Sequence, residues 1–265
     1  AMAFVRTNGI VLHYRLHGSE GAPAVSFINS LGTDARIWDE VIDRLATRYR
    51  VLSYDKRGHG LSDAPAGDYT LADHVADLAG LLDHAGMTKA AVAGVSVGGL
   101  IAQGFALSHP DRLTALVLCD TAPKVGDAQM WNGRMAAIRA RGMGAIADPV
   151  MERWFSPGFR QSRPDDLAGW RNLFLRTDVE GYCGTCATLR DIDLTGDIGR
   201  IATPTLVVVG DEDGSTPVPM VRACAEAIPG ARFEIIAQAG HIPSIEQPGA
   251  VAALMTEFIE EVGHG

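Results

Sequence analysis

The sequence has no apolar run long enough to cross a membrane. Its longest apolar-leaning stretch, Ala90 to Leu107, is broken by Ser96, Gln103 and several glycines, which suits a buried strand followed by a buried helix. Cysteine is scarce, with only Cys119, Cys183, Cys186 and Cys224. A structural zinc takes four ligands, and Cys183-Gly-Thr-Cys186 has no second pair beside it, so reduced thiols and no metal are expected. Positive charge is outnumbered, 23 Lys and Arg against 32 Asp and Glu, for a net charge of −9. That balance disfavours nucleic acid and anionic membranes as partners. The N-terminal residues lack a basic segment leading into an apolar run, so no signal peptide and a cytoplasmic setting are expected. No G-x-G-x-x-G fingerprint is present, because position 96 is Ser where the pattern needs Gly, which excludes that mode of dinucleotide binding. Internal repeats and low-complexity segments are also missing.

What is present is enough for one large α/β domain. The chain has 265 residues, 47% apolar and 21% charged, a balance that can bury a substantial core. Residues 4–16 alternate as two antiparallel strands around Asn8-Gly9, a hairpin turn pair. Short apolar runs follow at 24–28, 51–54, 89–95, 113–119, 205–210 and 232–236, as buried strands do. Between them lie helical patterns. Trp38, Val41, Ile42 and Leu45 share one helix face. Thr70 with Asp73 forms a helix start before Leu71, Val75, Leu78 and Leu82. Helices are also predicted over 97–108 and 218–228, and a last one carries Val251, Leu254, Met255, Phe258 and Ile259. Strands alternating with helices predict a mostly parallel, eight-stranded sheet covered on both faces. Between about Lys124 and Thr195 the rhythm changes to helix-like pieces bearing Trp131, Trp154, Phe155, Trp170 and Phe174. The predicted organisation is a core of residues 1–123 and 196–265 with a helical lid over 124–195.

The main chemical signal is Gly94-Val95-Ser96-Val97-Gly98, a G-x-S-x-G pattern. Random order of this composition would produce it about 0.14 times, so the pattern alone is weak. Its setting strengthens it. A strand must lead in and a helix must lead out, and Ala90–Ala93 and Leu100–Gln103 provide both. Ser96 must sit on a strained turn that lifts its hydroxyl off the sheet, and side chains two residues before or after would clash. The helix start after Ser96 offers free N–H groups to an oxyanion, the first being that of Val97. In these features the chain resembles the α/β-hydrolases.

A serine hydroxyl needs a base. In α/β-hydrolases the order along the chain is Ser, then Asp or Glu, then His. Only His109, His241 and His264 follow Ser96. His109 ends a helix and His264 lies in the tail, whereas His241 follows a strand in Ala239-Gly240-His241-Ile242-Pro243 and is the expected base. Asp211, Asp213 and Asp120 each follow a strand and are candidates for the acid that orients it. The second oxyanion donor should come from the loop Asn29-Ser30-Leu31-Gly32, through the Leu31 N–H. His59, in Tyr54-Asp55-Lys56-Arg57-Gly58-His59-Gly60, precedes Ser96 and is read as structural.

A closer resemblance rests on Asn29 to Asp34 with Trp38, on Asp55 to Gly60, and on the lid pieces Arg153-Trp154-Phe155 and Thr177 to Tyr182. On these, the chain from about Phe4 to Val262 is similar to 3-oxoadipate enol-lactonases. Their spacing of Gly, two residues, then Asp selects Asp213 as the acid. Val97 departs from the Met that often follows the nucleophile in such enzymes. The resemblance implies that Ser96 attacks the lactone carbonyl while His241 takes its proton. The ring oxygen then leaves as an enol, and water releases the acyl group, with no cofactor. Such a substrate carries a carboxylate, so an acidic protein must offer a local cation. Arg134, one helical turn after Trp131, is the expected carboxylate ligand, with Trp131 and Trp154 as pocket walls. The expected partner is thus a small anionic lactone or ester, and the protein a monomer or small homo-oligomer. A general carboxylesterase, lactonase or cofactor-free perhydrolase would use the same three residues. A ligand-binding homologue without catalysis is the reading from another class.

Overall fold

The computed structural model describes residues 2–263. The chain opens with β1 (Met2–Thr7) and β2 (Ile10–His17), joined by Asn8 and Gly9, both at positive φ. There follow β3 (Ala24–Ile28), α1 (Asp39–Leu45), β4 (Arg50–Tyr54), α2 (Leu71–His84), β5 (Ala90–Val95), α3 (Val97–Ser108) and β6 (Leu113–Cys119). Five helices come next: α4 (Ala128–Arg141), α5 (Ala147–Trp154), α6 (Pro157–Ser162), α7 (Pro164–Leu175) and α8 (Val179–Asp191). The chain then returns to the sheet with β7 (Thr205–Gly210), α9 (Val218–Ala227), β8 (Arg232–Ile236), α10 (Pro243–Glu246) and α11 (Pro248–Gly263). No helix among the described residues is long and apolar enough to cross a membrane.

The strands form one eight-stranded sheet in the order β1-β2-β4-β3-β5-β6-β7-β8. Only β2 is antiparallel to its neighbours, and every pair from β4 to β8 is parallel. The chain steps one way across the sheet from β3 to β4 and the other way from β4 to β5. Right-handed crossovers therefore put α1 and α2 on opposite faces. There α1 packs on α11 and α2 packs on α3. Strands β5 and β7 are buried along their whole length, which is why each reads as an unbroken apolar run. The α2 start is a full capping box: Thr70 accepts from the Asp73 N–H, and Asp73 accepts from the Thr70 N–H. The predicted helix at Trp38 is a tighter 3-10 turn over Ala35–Trp38 that runs into α1. Asp34 caps that turn through its bond from the Arg36 N–H. The cysteines are all free and buried, with Cys183 and Cys186 facing the interior from α8.

The direction change between β3 and β5 opens a crevice at the C-terminal edge of the sheet, where open α/β sheets hold their ligands. The loop after β3 and the turn after β5 form its two banks. Glycine lets them touch. An added Cβ on Gly98 would lie 2.6 Å from the Ile28 carbonyl oxygen and 2.8 Å from that of Asn29; on Gly94 it would lie 2.1 Å from the Gly98 oxygen. All these obstacles are backbone, which cannot swing aside. Gly98→Ala should therefore cost about 1–3 kcal/mol of stability, read as a lower urea midpoint. Gly158→Ala, whose new methyl meets nothing within 4 Å in a helix, should leave the midpoint level or slightly raised.

Candidate active site

Ser96 stands between β5 and α3 with φ 57° and ψ −119°, a left-handed conformation that costs energy for any residue with a Cβ. The turn is pinned on both sides. The Ser96 N–H donates to the Cys119 carbonyl at 3.0 Å, and the Thr121 hydroxyl donates to the Ser96 carbonyl at 2.7 Å. The Val97 N–H opens α3, and among the described residues neither it nor the Leu31 N–H has a hydrogen-bond partner. Both are therefore free to receive an oxyanion.

His241 lies in the loop between β8 and α10. Its Nδ1 is 2.8 Å from Asp213 Oδ2, in the loop after β7. An imidazole that donates through Nδ1 keeps its Nε2 lone pair free as a base. Asp213 also accepts the Ser215 and Thr216 N–H groups on Oδ1, at 2.7 and 2.9 Å, and the Thr216 hydroxyl on Oδ2 at 2.7 Å. Burial alone would raise the Asp213 carboxyl. The His241 ring and these donors outweigh it and hold the group below the ordinary carboxylate value. Asp211 is instead spent on the Ala239 N–H, at 3.2 Å. The His241 loop is tied to the helical insertion. The His241 N–H donates to the Trp154 carbonyl at 2.8 Å, and Glu246 accepts from the Gly240 and Ser156 N–H groups.

The loop after β3 is held from behind by the segment after β4. The buried Lys56 amine donates to the Ser30 carbonyl, which belongs to the same peptide unit as the Leu31 N–H. His59 accepts the Gly32 N–H on Nε2 at 2.9 Å and faces the Arg57 carbonyl through Nδ1 at 3.2 Å. Burial, with Lys56 next, drives His59 well below the ordinary imidazole value, so it stays neutral as this bonding requires. Asn29 bridges the Thr33 carbonyl and the Lys56 N–H.

Ser96, His241 and Leu31 line a cavity of about 500 Å³, together with Trp131, Arg134 and Trp154 from the insertion. Asp213 and Val97 lie behind this lining, Asp213 through its bond to His241. Arg134 stacks on Trp131, 4.7 Å from the ring centre. A second guanidinium, Arg153, lines the same space. Burial first, and Arg134 second, lower its basicity. Neither arginine has a carboxylate within ion-pair distance among the described residues. A larger recess of about 760 Å³ lies elsewhere, along His13, Asp55 and α7, and holds none of these groups; its Arg15 and Arg36 are paired with Asp39 and Asp34.

Asp120, Asp213 and His241 bring one ligand atom each to within 4.8 Å of one another, the one such group among the described residues that could hold a metal. The group offers only three ligand atoms, all buried, and Asp213 is already engaged by four hydrogen-bond donors. The set thus reads as a hydrogen-bond network. Three further residues of the site were not expected from the sequence: Arg153, although it lies within the Arg153-Trp154-Phe155 run, Thr216 and Glu246. The crowding of acids and hydroxyls after β7 is a signal for Thr216, and none marks Glu246 on α10.

The comparisons agree with this geometry. The chain is 35% identical over 253 residues to 3-oxoadipate enol-lactonase 2 of Acinetobacter baylyi, covering 94% of each chain. It superposes with a TM-score of 0.94 on the crystal structure of the enol-lactonase from Burkholderia xenovorans LB400, at 37% identity, covering 97% of this chain and 100% of that one. A malate-bound thermophilic esterase from Thermogutta terrifontis superposes at 0.93, with 29% identity and 99% of both chains covered. Residues 16–254 match the model of the alpha/beta hydrolase family, and the chain belongs to that family.

Proposed function

We propose that this hydrolase opens a carboxylate-bearing enol-lactone, 3-oxoadipate enol-lactone to 3-oxoadipate, through an acyl-enzyme on Ser96. The observation that carries the anionic part is the pair of unpaired guanidiniums, Arg134 and Arg153, in the same cavity as Ser96 and His241. In a protein of net charge −9, no Asp or Glu among the described residues lines this cavity. The enol-lactonase names of the Acinetobacter and Burkholderia relatives support the lactone.

In this reading His241 Nε2 takes the Ser96 proton as the hydroxyl attacks the lactone carbonyl. The oxyanion draws hydrogen bonds from the Leu31 and Val97 N–H groups. Asp213 holds the imidazole in its tautomer and stabilises the cation. Collapse of the tetrahedral intermediate breaks the ring C–O bond, and the leaving enolate takes the proton back from His241 and rearranges to the ketone. Water, deprotonated by His241, then cleaves the acyl ester and frees Ser96. The insertion α4–α8 acts as a lid, with Trp131 and Trp154 as apolar walls and Arg134 and Arg153 on the free carboxylate. A general esterase reading draws on the Thermogutta relative and would show as preference for neutral esters.

Two outcomes check this. Ser96→Ala should lose roughly 10⁴-fold or more in kcat on freshly generated enol-lactone, and a fluorophosphonate should label Ser96 in the native protein. Arg153→Ala should raise KM for the enol-lactone about 10- to 100-fold, the worth of one charge-assisted hydrogen bond pair. The methyl ester of the same lactone should show no such loss. An equal effect on acid and ester would remove the carboxylate from Arg153.

A further inference from the structure

Asp120 follows β6 directly and has a positive φ of 49°, unfavourable for a residue with a Cβ. Its side chain is fully buried. One oxygen, Oδ1, accepts the Gly210 N–H at 2.9 Å, while Oδ2 is buried and receives no hydrogen bond from any protein donor among the described residues. Asp120 and Asp213 nonetheless bring carboxyl oxygens to within 4.8 Å of each other and of a His241 ring nitrogen. Two carboxylates this close, away from water, do not both ionise. The donors decide which one keeps the charge. Asp213 accepts four hydrogen bonds and Asp120 one, so the proton belongs on Asp120 Oδ2.

We propose that Asp120 is a positioning residue: it stays protonated and donates its Oδ2 hydrogen to the Asp213 carboxylate. This rests on the reading of Ser96, His241 and Asp213 as the catalytic set. Other titratable groups around Asp120 are His241, Glu246 on α10 and the Cys119 thiol on its own strand. Burial, and then the Asp213 charge, push Asp120 well above the ordinary carboxylate value, as the geometry requires. The proton has a clear use. A second negative charge beside His241 would hold the imidazolium proton too tightly and leave less free base to activate Ser96. As a neutral donor, Asp120 instead tempers Asp213 and fixes its orientation.

The test compares Asp120→Leu with Asp120→Asn, using kcat and the acid limb of the kcat/KM pH profile. Leu has the volume but no hydrogen to donate. It should lower kcat about tenfold and move the acid limb to higher pH, because an untempered Asp213 binds the His241 cation more strongly. Asn restores an N–H donor without a charge. It should rescue most of kcat and return the acid limb to its native position. If Asp120 were ionised, Asn would remove a negative charge and shift the limb to lower pH, which would overturn the proposal. Indistinguishable Leu and Asn variants would overturn it too. Difference infrared spectroscopy provides a readout independent of turnover and of the variants' rates. The native protein should show the C=O stretch of a buried protonated carboxyl at neutral pH, absent in Asp120→Asn, and its absence from the native spectrum would refute the proposal. Failure of the catalytic assignment is separate: it would appear as native kcat in Ser96→Ala or Asp213→Asn.

Discussion

Everything chemical in this molecule depends on the contact between the start of α3 and the backbone after β3. A single methyl on Gly98 would drive into two carbonyl oxygens. Because there is none, the helix start sits against the other bank of the crevice. The helix start that carries the Val97 N–H thus sits beside the loop that carries the Leu31 N–H, and Ser96 stands between the banks at the cavity. The left-handed turn at Ser96 follows from this packing: the hydroxyl is lifted clear because the strand must reverse into a helix within one residue. The surrounding hydrogen bonds to Cys119 and Thr121 hold that strain in place.

The second organising constraint is the treatment of buried charge. Around the loop after β3, Lys56, His59 and Asp55 are all removed from water, and each is matched to backbone groups that need fixing. Around His241, three acids are buried, but donors are distributed unequally among them. Asp213 is held low, while Asp120 and Glu246 are pushed up. In the cavity the sign reverses, with two arginines and no acid to neutralise them. An acidic surface and a cationic pocket are compatible because solvent and salt screen the surface charges from the pocket.

Much of this was legible in the sequence, for local reasons. The runs at 24–28, 113–119, 205–210 and 232–236 match β3, β6, β7 and β8 residue for residue, because the buried parallel strands are short apolar blocks between breakers and the half-buried edge strand β8 is bounded in the same way. The Thr70–Asp73 cap is a four-residue signal and was equally visible. Trp38 was harder. Its spacing fits a helix face, but Asp34 caps one turn earlier and tightens the start into a 3-10 turn. The features that stayed hidden are those made by distant partners. Asp120 lies 93 positions from Asp213, and Glu246 lies 90 from Ser156, so no periodicity links them. Arg153 looked like part of a lid motif; that it is unpaired and faces the cavity emerges only when five helices fold over the crevice.

The central claim is an acyl-enzyme on Ser96 formed from an enol-lactone, and rapid acid quench during turnover followed by peptide mass spectrometry tests it most directly. The account predicts a 3-oxoadipyl ester on the peptide that contains Ser96, appearing before steady state and disappearing as substrate is exhausted. Steady turnover with an unmodified Ser96 at every time point, or an adduct on another residue, would contradict it.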